Sequence, residues 1–346
     1  MTNKITTSIV AFGMSARTFH APLLHQHDGY ALYSVVERHR SAAREQYTYI
    51  KTEREYEAML QNDEVELVVI TTPNALHAGQ IRQALEAGKH VVVEKPFVVD
   101  YREGSELVAL AKEKGCVLTI FQNRRWDGDF LTISKMINDG AFGRVYEIES
   151  RFDRFRDYLK GWKEQEGDGA GITYDLGAHL LDQAFHLLGD EGKLLFADLR
   201  QQRKVSEVTD YMEVQLDFAA TKFIAKASMT SCHSPRWVIR GEKGTLVKEG
   251  MDPQEMVLKA KGAEWQKEDV PQEYASFYSP DGKKTEIPLL KGAYSVFYDQ
   301  IYKAIREGES VPVDPQQVLR MIKLINELEE KKVVSTGSSV RLDHPN

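Results

Sequence analysis

The sequence has few cysteines, no long apolar stretch and no long basic run. Its 346 residues include only Cys116 and Cys232, which lie far apart and match neither a metal-ligand spacing nor a disulfide framework. We therefore expect reduced thiols in a cytoplasmic protein. No stretch reaches the ~20 apolar residues of a membrane helix, and the short polar segment 1–7 leads directly into a strand-like run, so we expect neither a signal peptide nor a membrane partner.

Charge and length narrow the class of protein further. The formal net charge is -7, and an acidic chain without a basic run is a poor candidate for nucleic-acid binding. A local basic pocket for an anion is compatible with this charge. Single hydrophobic cores stop growing near ~250–300 residues, so a chain of 346 residues favours two domains.

The first third of the chain alternates strand-like and helix-like segments. Apolar runs at residues 8–12, 31–36, 65–70, 90–93 and 117–121 predict strands. Thr52 to Glu55 has the form of a capping box, which predicts a helix to about residue 61. Asp100 and Gly115 are placed to begin and end another helix. Apolar strands separated by helices are typical of a parallel sheet covered on both faces, so we predict a doubly wound α/β Rossmann domain over residues 1–122.

The pattern changes after residue 122. Residues 126–138 and 175–188 have helical patterns, and a glycine-rich stretch, 167–171, precedes the second of them. Several strand-like runs lack intervening helices, which is typical of an antiparallel sheet; they are 144–155, 208–218, 223–231, 236–241 and 245–248, with 219–222 as a connection. Residues 259–287 predict a long loop or hairpin, and Asp314 is placed to cap a final helix to about residue 331. We predict an α+β domain with a large, mostly antiparallel sheet over residues 123–346.

The turn after the first predicted strand is a candidate phosphate site. A Rossmann turn needs small residues so that the backbone and a helix N-terminus can reach a pyrophosphate. The turn reads Ala11-Phe12-Gly13-Met14-Ser15-Ala16, so it keeps only the middle glycine of a GxGxxG pattern, and Ala11 is a departure. Its place between a strand and a helix supports the site, although an ordinary strand–helix turn fits these residues equally well.

Glu37 and Arg38 end the second predicted strand, where a Rossmann domain contacts the adenosine ribose. A carboxylate there accepts from ribose hydroxyls and repels a 2′-phosphate, so Glu37 favours NAD. The guanidinium of Arg38 favours NADP, because it can pair with a 2′-phosphate. A solvated strand end is the alternative for both residues, and on balance the pair favours NAD.

Three side chains from distant segments suggest proton chemistry. Lys95 follows the strand at 90–93, at the edge where α/β sheets bind ligands. Asp175 and His179 share a helix face, and an imidazole suits proton transfer with a hydroxyl; Asp182 and His186 repeat the spacing. The alternatives are a surface lysine and the polar face of an amphipathic helix. A zinc site is a further alternative, but no second ligand cluster completes it, so we predict no metal.

These residues and their neighbours resemble the Gfo/Idh/MocA oxidoreductases, the family of glucose–fructose oxidoreductase and inositol dehydrogenase. The resemblance covers essentially the whole chain, and the order and spacing of the motifs make the joint match specific. The motifs are Phe19-His20-Ala21-Pro22, Thr72-Pro73-Asn74 with His77, Ala87-Gly88-Lys89-His90, Glu94-Lys95-Pro96, and Tyr174-Asp175-Leu176-Gly177-Ala178-His179. Asn123-Arg124-Arg125-Trp126-Asp127 is most similar to the branch that contains NADP-dependent scyllo-inositol dehydrogenases.

The resemblance implies an NAD(P)-dependent dehydrogenase that acts on a CH–OH group of a sugar, inositol or related polyol. Lys95 would contact the reacting oxygen, His179 would exchange its proton, and Asp175 would hold a neighbouring hydroxyl. The family often has a cis peptide in this motif, so we expect one between Lys95 and Pro96. The residues that would line NAD or NADP are Gly13, Met14, Ser15, Ala16, Glu37, Arg38, Thr71, Thr72, Pro73, Asn74, His77, Glu94, Lys95 and Asn123.

The sheet of the second domain is expected to leave one apolar face uncovered. Such a face favours pairing with a second copy, and the resemblance also implies a homodimer, or a dimer of dimers. Two other functions stay open. One is a regulatory protein that binds NAD(P) without turnover, and the other is a metal-dependent lyase or hydrolase that uses the helix of Asp175.

Overall fold

The chain forms two domains, each built around one sheet. The computed structural model describes residues 4–159 and 161–330. Within those two ranges, no helix has both the length and the apolar character to cross a membrane. The predicted end of the final helix, near residue 331, lies just outside the described residues.

The first domain is a six-stranded parallel sheet with the strand order β3-β2-β1-β4-β5-β6. Most residues of its inner strands are buried, since helices cover both faces, and this confirms the predicted Rossmann domain. The strands are β1 (Ile5–Val10), β2 (Tyr30–Val36), β3 (Lys51–Glu53), β4 (Leu67–Ile70), β5 (His90–Glu94) and β6 (Leu118–Phe121). The helices are α1 (Ala21–Gln26), α2 (Ala42–Gln46), α3 (Tyr56–Leu60), α4 (His77–Glu86) and α5 (Tyr101–Lys114).

One local prediction in this domain is wrong and another is confirmed. Thr52 does not cap a helix; it lies in the edge strand β3, which pairs with β2, and α3 begins only at Tyr56. Strand pairing with β2 overrides the local capping signal. Asp100 does cap α5, since its carboxylate accepts from two backbone N–H groups, and Gly115 ends that helix in a left-handed conformation.

The second domain is an eight-stranded sheet with the order β14-β13-β12-β11-β7-β10-β9-β8. Within the described part of this second sheet, only the β7–β10 pair is parallel, so the predicted mostly antiparallel sheet is confirmed. The strands are β7 (Val145–Asp153), β8 (Lys193–Arg200), β9 (Tyr211–Phe218), β10 (Thr221–Ser228), β11 (Trp237–Gly241), β12 (Gly244–Lys248), β13 (Tyr274–Tyr278) and β14 (Lys284–Pro288). The helices are α6 (Gly128–Asn138), α7 (Ala178–Leu188), α8 (Gln254–Lys261), α9 (Ser295–Glu307) and α10 (Pro315–Glu330).

The structure contains elements that the sequence patterns did not indicate. Strand β8 and helices α8 and α9 are new, and the connection predicted at 219–222 is shorter, because Thr221 and Lys222 already belong to β10. Ala219 turns the chain in a left-handed conformation at φ 61°. The hairpin alternative within 259–287 is confirmed by β13 and β14, and Asp314 caps α10 through the N–H of Gln316.

Helix α7 packs against one face of the second sheet, at β7 and β10, and the other face carries partly exposed side chains of these strands. This other face is not apolar as expected, because ion pairs cross its strands, among them Lys222 with Glu147 and Lys226 with Glu213. Exposed apolar side chains are concentrated instead on the edge strand β8, at Leu194, Leu195 and Phe196. Strand alternation explains the error, since the apolar residues of β7, β9 and β10 point mainly inward.

Candidate active site

Lys95 and Asp175 meet at the carboxyl edge of the first sheet. Lys95 follows β5 directly, and the peptide between Lys95 and Pro96 is cis, as expected. The ammonium of Lys95 donates to Oδ1 of Asp175 at 2.9 Å and to the backbone oxygen of Asp175 at 2.5 Å. Two of the three candidate catalytic residues therefore form an ion pair that joins the two domains.

Asp175 and His179 lie on a helix that passes close to the second sheet. A π-helical turn, Thr173–Gly177, leads into α7 and places Asp175 about one turn before His179. A Cβ atom on Gly177 would lie 2.7 Å from Sδ of Met212 in β9. A larger residue here would require the Met212 side chain to move, so Gly177 lets the site helix pack closely on the sheet.

A second lysine contacts the same carboxylate and was not anticipated from the sequence. Lys163 donates from Nζ to Oδ1 of Asp175 at 2.7 Å. It lies in the short turn Trp162–Glu164, on the irregular segment between β7 and α7. No motif or periodicity marks this position, because only the fold of that segment brings Lys163 to Asp175.

Burial and like charges control the ionisation of this cluster. Burial lowers the pKa of Lys95 to about 8, with repulsion from Lys163 adding to the effect and Asp175 opposing it. Burial alone would raise the pKa of Asp175, but the two ammonium groups outweigh it and hold that pKa well below its usual range. Burial, together with the positive charges of Lys95 and Arg124, lowers the pKa of His179 well below its ordinary value. At neutral pH the site thus holds an ionised aspartate beside a neutral imidazole.

One ring nitrogen of His179 lacks a partner. Nδ1 is buried and has no hydrogen-bond partner among the described residues. The edge of the Phe152 ring packs near the imidazole, with ring centroids 5.9 Å apart. No carboxylate bonds Nδ1 to stabilise an imidazolium, which agrees with the lowered pKa of His179.

The candidate phosphate turn keeps Rossmann geometry in spite of its missing glycine. Ala11 occupies the position of the first glycine and adopts a left-handed conformation at φ 71°, which residues other than glycine seldom do. A Cβ atom added to Gly13 would meet no atom within 4 Å, so the backbone of the turn faces open space. Ser15 and Ala16 follow at the start of a helical segment. The turn therefore has room and donors for a pyrophosphate.

Glu94 lies between this turn and the candidate catalytic lysine. Its carboxylate accepts from the backbone N–H of Lys95 at 3.1 Å and pairs with Nε2 of His20 at 3.0 Å. Against the opposing effect of burial, His20, Lys95 and Ser15 together lower the pKa of this carboxylate. Nδ1 of His20 is 2.6 Å from the hydroxyl of the buried Tyr298. His20 thus has the local hydrogen-bonding role that its surroundings support, and Glu94 is held between the turn and Lys95.

The other candidate cofactor residues surround the carboxyl ends of β1, β4 and β6. The hydroxyl of Thr71 donates to the backbone oxygens of Val10 and Ala11, and Nδ2 of Asn74 donates to the backbone oxygen of Gly169 in the second domain at 2.8 Å. Side chains that bond or pack locally are Thr72, Pro73, His77 and Asn123. The structure gathers these residues at one edge of the sheet, facing the segment that precedes α7.

Glu37 has a different environment from the one expected. Its two carboxylate oxygens accept from the backbone N–H groups of Ala42 at 3.1 Å and Ala43 at 3.0 Å, so the side chain caps α2. Arg38 is exposed beside it. The carboxylate is thus engaged by its own loop, whereas the guanidinium is free to meet a ligand.

The second acid–histidine pair on α7 does not join the site. Asp182 is buried in a two-point ion pair with Arg125, at 2.7 and 2.8 Å, and the ring of His186 packs beside Phe130. Across residues 4–159 and 161–330, no cluster of three or more His, Cys, Asp or Glu side chains is arranged to hold a metal ion.

Two family models match the chain, one over each domain. A family model described as an oxidoreductase family with an NAD-binding Rossmann fold matches residues 5–122, and the model of the C-terminal alpha/beta domain of that family matches residues 134–332. The chain is 34% identical over 330 residues to scyllo-inositol 2-dehydrogenase (NADP(+)) IolW of Bacillus subtilis strain 168, a match that covers 93% of this chain and 92% of that protein.

Two further relatives extend the comparison. D-glucoside 3-dehydrogenase of Escherichia coli strain K12 is 28% identical over 191 residues, which cover 54% of each chain. The solved structure of yvaA from Bacillus subtilis superposes with a TM-score of 0.90 at 32% identity, and the match covers 95% of this chain and 96% of that one. Both domains of this chain therefore have the architecture of a solved relative.

Proposed function

Because the chain belongs to the Gfo/Idh/MocA family of oxidoreductases, we propose that it transfers a hydride between NAD(P) and a secondary alcohol of a sugar, inositol or related polyol. The observation that carries this proposal is the Lys95–Asp175 ion pair, with His179 one turn further, at the carboxyl edge of the Rossmann sheet. The names of two relatives, an inositol dehydrogenase and a glucoside dehydrogenase, support the substrate class.

The three residues have complementary roles in oxidation. His179 accepts the proton of the reacting hydroxyl, because its imidazole is neutral at neutral pH. The ammonium of Lys95 donates to the same oxygen as negative charge develops there. A nicotinamide cofactor held at this edge would supply the hydride acceptor, so that the alcohol carbon would be oxidised to a ketone. In reduction the same groups return the proton.

Asp175 orients both the lysine and the substrate. Its Oδ1 atom is engaged by two ammonium groups, whereas Oδ2 has no hydrogen bond to the described residues. We assign Oδ2 to a hydroxyl next to the reacting one. A polyol with adjacent hydroxyls satisfies this acceptor, and a simple alcohol does not, which favours polyols.

The cofactor would lie along the edge that runs from the phosphate turn to Lys95. The backbone of Gly13, Met14, Ser15 and Ala16 would hold the pyrophosphate, and Lys95 would lie near the nicotinamide. The remaining lining residues are Thr71, Thr72, Pro73, Asn74, His77, Glu94 and Asn123. The open space above Gly13 and the exposed side chain of Met14 support this placement.

The surroundings of Glu37 and Arg38 favour NADP over NAD. Glu37 accepts from two backbone N–H groups of its own loop, so it is held away from a role as the ribose acceptor. Arg38 is exposed, and a guanidinium pairs well with a 2′-phosphate. The name of the inositol dehydrogenase relative also specifies NADP(+).

For assembly and location we propose a homodimer, or a dimer of dimers, in the cytoplasm. The exposed apolar side chains Leu194, Leu195 and Phe196 on β8 support association through the second domain. The unpaired Cys116 and Cys232 support a reducing compartment. Light scattering on the purified protein measures the assembly directly.

A panel of polyols, sugars and their ketones, tested with both nicotinamide cofactors, checks the reaction. We expect a change in the absorbance of the reduced nicotinamide ring with a polyol substrate, and a higher kcat/KM with NADP(H). Tight nucleotide binding without turnover across the panel would instead favour a regulatory protein. A stoichiometric metal bound at Asp175 would favour the lyase or hydrolase alternative.

A further inference from the structure

Lys163 and Lys95 share one carboxylate oxygen of Asp175. Oδ1 of Asp175 accepts from Nζ of Lys95 at 2.9 Å and from Nζ of Lys163 at 2.7 Å. Two ammonium groups that share one oxygen repel each other, and each weakens the hold of the carboxylate on the other. The reaction assigned to Lys95, Asp175 and His179 does not itself require Lys163.

The backbone and neighbours of Lys163 hold it in this place. Its backbone oxygen accepts from the N–H of Gly171 at 2.8 Å, just before the site helix. The next residue, Glu164, is fixed by Arg156 at 2.9 Å, and Arg203 approaches the same carboxylate at 3.5 Å. Arg203 in turn pairs with Asp210 at 2.9 Å. Because its own backbone and the next residue are both held by these contacts, Lys163 is more restricted in position than a solvated surface lysine.

We propose that Lys163 is a positioning residue of the catalytic centre: by sharing Oδ1 of Asp175, it limits how strongly that carboxylate binds Lys95 and so leaves the Lys95 ammonium available to the reacting oxygen. The inference rests on the proposed hydride-transfer function. In the absence of the Lys163 charge, Asp175 would pair with Lys95 alone.

The surrounding charges give the direction of the effect. Besides burial, the charged groups that act on Lys95 are Asp175, Lys163 and Glu94, and the positive charge of Lys163 lowers the pKa of Lys95. Arg154 and Glu94 also act on Lys163 itself. Removal of the Lys163 charge therefore raises the pKa of Lys95 from about 8, both because a like charge is lost and because Asp175 is no longer shared.

The test compares Lys163→Gln with Lys163→Arg. Glutamine can still donate to Asp175 but carries no charge, and arginine keeps the charge. Trace acetylation with limiting acetic anhydride across a pH series, followed by mass spectrometry of the peptide that contains Lys95, reports the titration of Lys95 without any need for turnover. Lys222→Gln is the matched control, because Lys222 pairs with Glu147 on the far face of the second sheet.

For Lys163→Gln we expect the titration midpoint of Lys95 to rise by about one pH unit, the alkaline limb of kcat/KM to rise with it, and kcat/KM at neutral pH to fall about tenfold. Lys163→Arg and Lys222→Gln should keep the wild-type midpoint. An unchanged midpoint in folded Lys163→Gln protein overturns the inference, even if turnover is present. A raised midpoint together with no turnover in the wild-type protein supports the charge arrangement and removes the proposed function instead.

Discussion

The helical segment that begins at residue 173 carries the same acid–histidine spacing twice, and the two copies have opposite surroundings. Asp175 and His179 face the carboxyl edge of the Rossmann sheet, with two lysines on one carboxylate oxygen. Asp182 and His186 have the same spacing further along α7, but the buried Arg125 side chain binds both carboxylate oxygens of Asp182.

The partners decide which copy can do chemistry. A guanidinium fork occupies both carboxylate oxygens and keeps its charge at any ordinary pH, so Asp182 has a structural role. Ammonium groups leave Oδ2 of Asp175 free, and burial brings the pKa of Lys95 to about 8. The spacing of an acid and a histidine along a helix therefore indicates a shared face, and the cation that meets the acid decides its use.

The largest expected difference between the two copies is in turnover. His179→Ala should lower kcat about a thousandfold, because the reacting hydroxyl loses its base, while nucleotide affinity stays near wild type. His186→Ala should leave kcat within about twofold, because His186 packs beside Phe130 and away from Lys95. Steady-state kinetics and fluorescence titration with NADPH measure both quantities. Wild-type rates in His179→Ala would remove this histidine from the mechanism.

The second difference is in stability. Asp182→Asn should lower the free energy of unfolding by about 3 kcal/mol, because it leaves the buried Arg125 guanidinium without a counter-charge. Asp175→Asn should cost about 1 kcal/mol, because its surroundings are partly exposed and Lys95 can lose its proton. Urea unfolding followed by circular dichroism compares the two variants. Equal losses would contradict the distinction drawn between the two carboxylates.

The pH dependence of kcat/KM should depend on the first pair, Asp175 and His179 with Lys95, and not on Asp182 and His186. Oxidation needs a neutral His179 and a protonated Lys95. The pKa of His179 lies well below 6.5, so the acid limb of kcat/KM should fall below that pH. Lys95 loses its proton as the pH rises through about 8, so kcat/KM should decrease above that value. His186→Ala should leave both limbs in place, and a shift of either limb in that variant would show that the two copies are coupled.

The smallest effect concerns a backbone feature that is also present twice. Ala11 in the phosphate turn and Ala219 in the β9–β10 turn both have left-handed backbones, at φ 71° and 61°. Replacement of either by glycine should raise the free energy of unfolding by about 1 kcal/mol, because the steric cost of the Cβ atom is removed. Thermal unfolding measures the gain. Ala11→Gly should also retain NADPH affinity, and a loss would show that the alanine methyl group contributes to the site.

Sequence reasoning worked where a pattern is local and failed where distant contacts decide. Strand–helix alternation is sufficient to predict the Rossmann sheet, and the capping preference of Asp100 is sufficient to place the start of a helix. The edge strand β3 was missed because its three residues become a strand only through pairing with β2.

The same limit applies to the site. Lys95, Asp175 and His179 belong to short motifs, so their types and order could be recognised, whereas Lys163 has no motif and reaches Asp175 through an irregular segment. The use of the Glu37 carboxylate could not be read from the sequence either, because the N–H groups that engage it belong to the loop at Ala42 and Ala43.

The position of Glu94 has a thermodynamic consequence. One carboxylate accepts from the backbone N–H of Lys95 and also interacts with Ser15 in the phosphate turn. A change of charge at either end would act on the other through this carboxylate, and any such linkage is reciprocal. If nucleotide binding changes the affinity of Lys95 for its proton, then protonation of Lys95 changes the affinity for nucleotide by the same factor. Calorimetry of NADPH binding in buffers of different ionisation enthalpy would register that coupling as a net number of protons taken up or released.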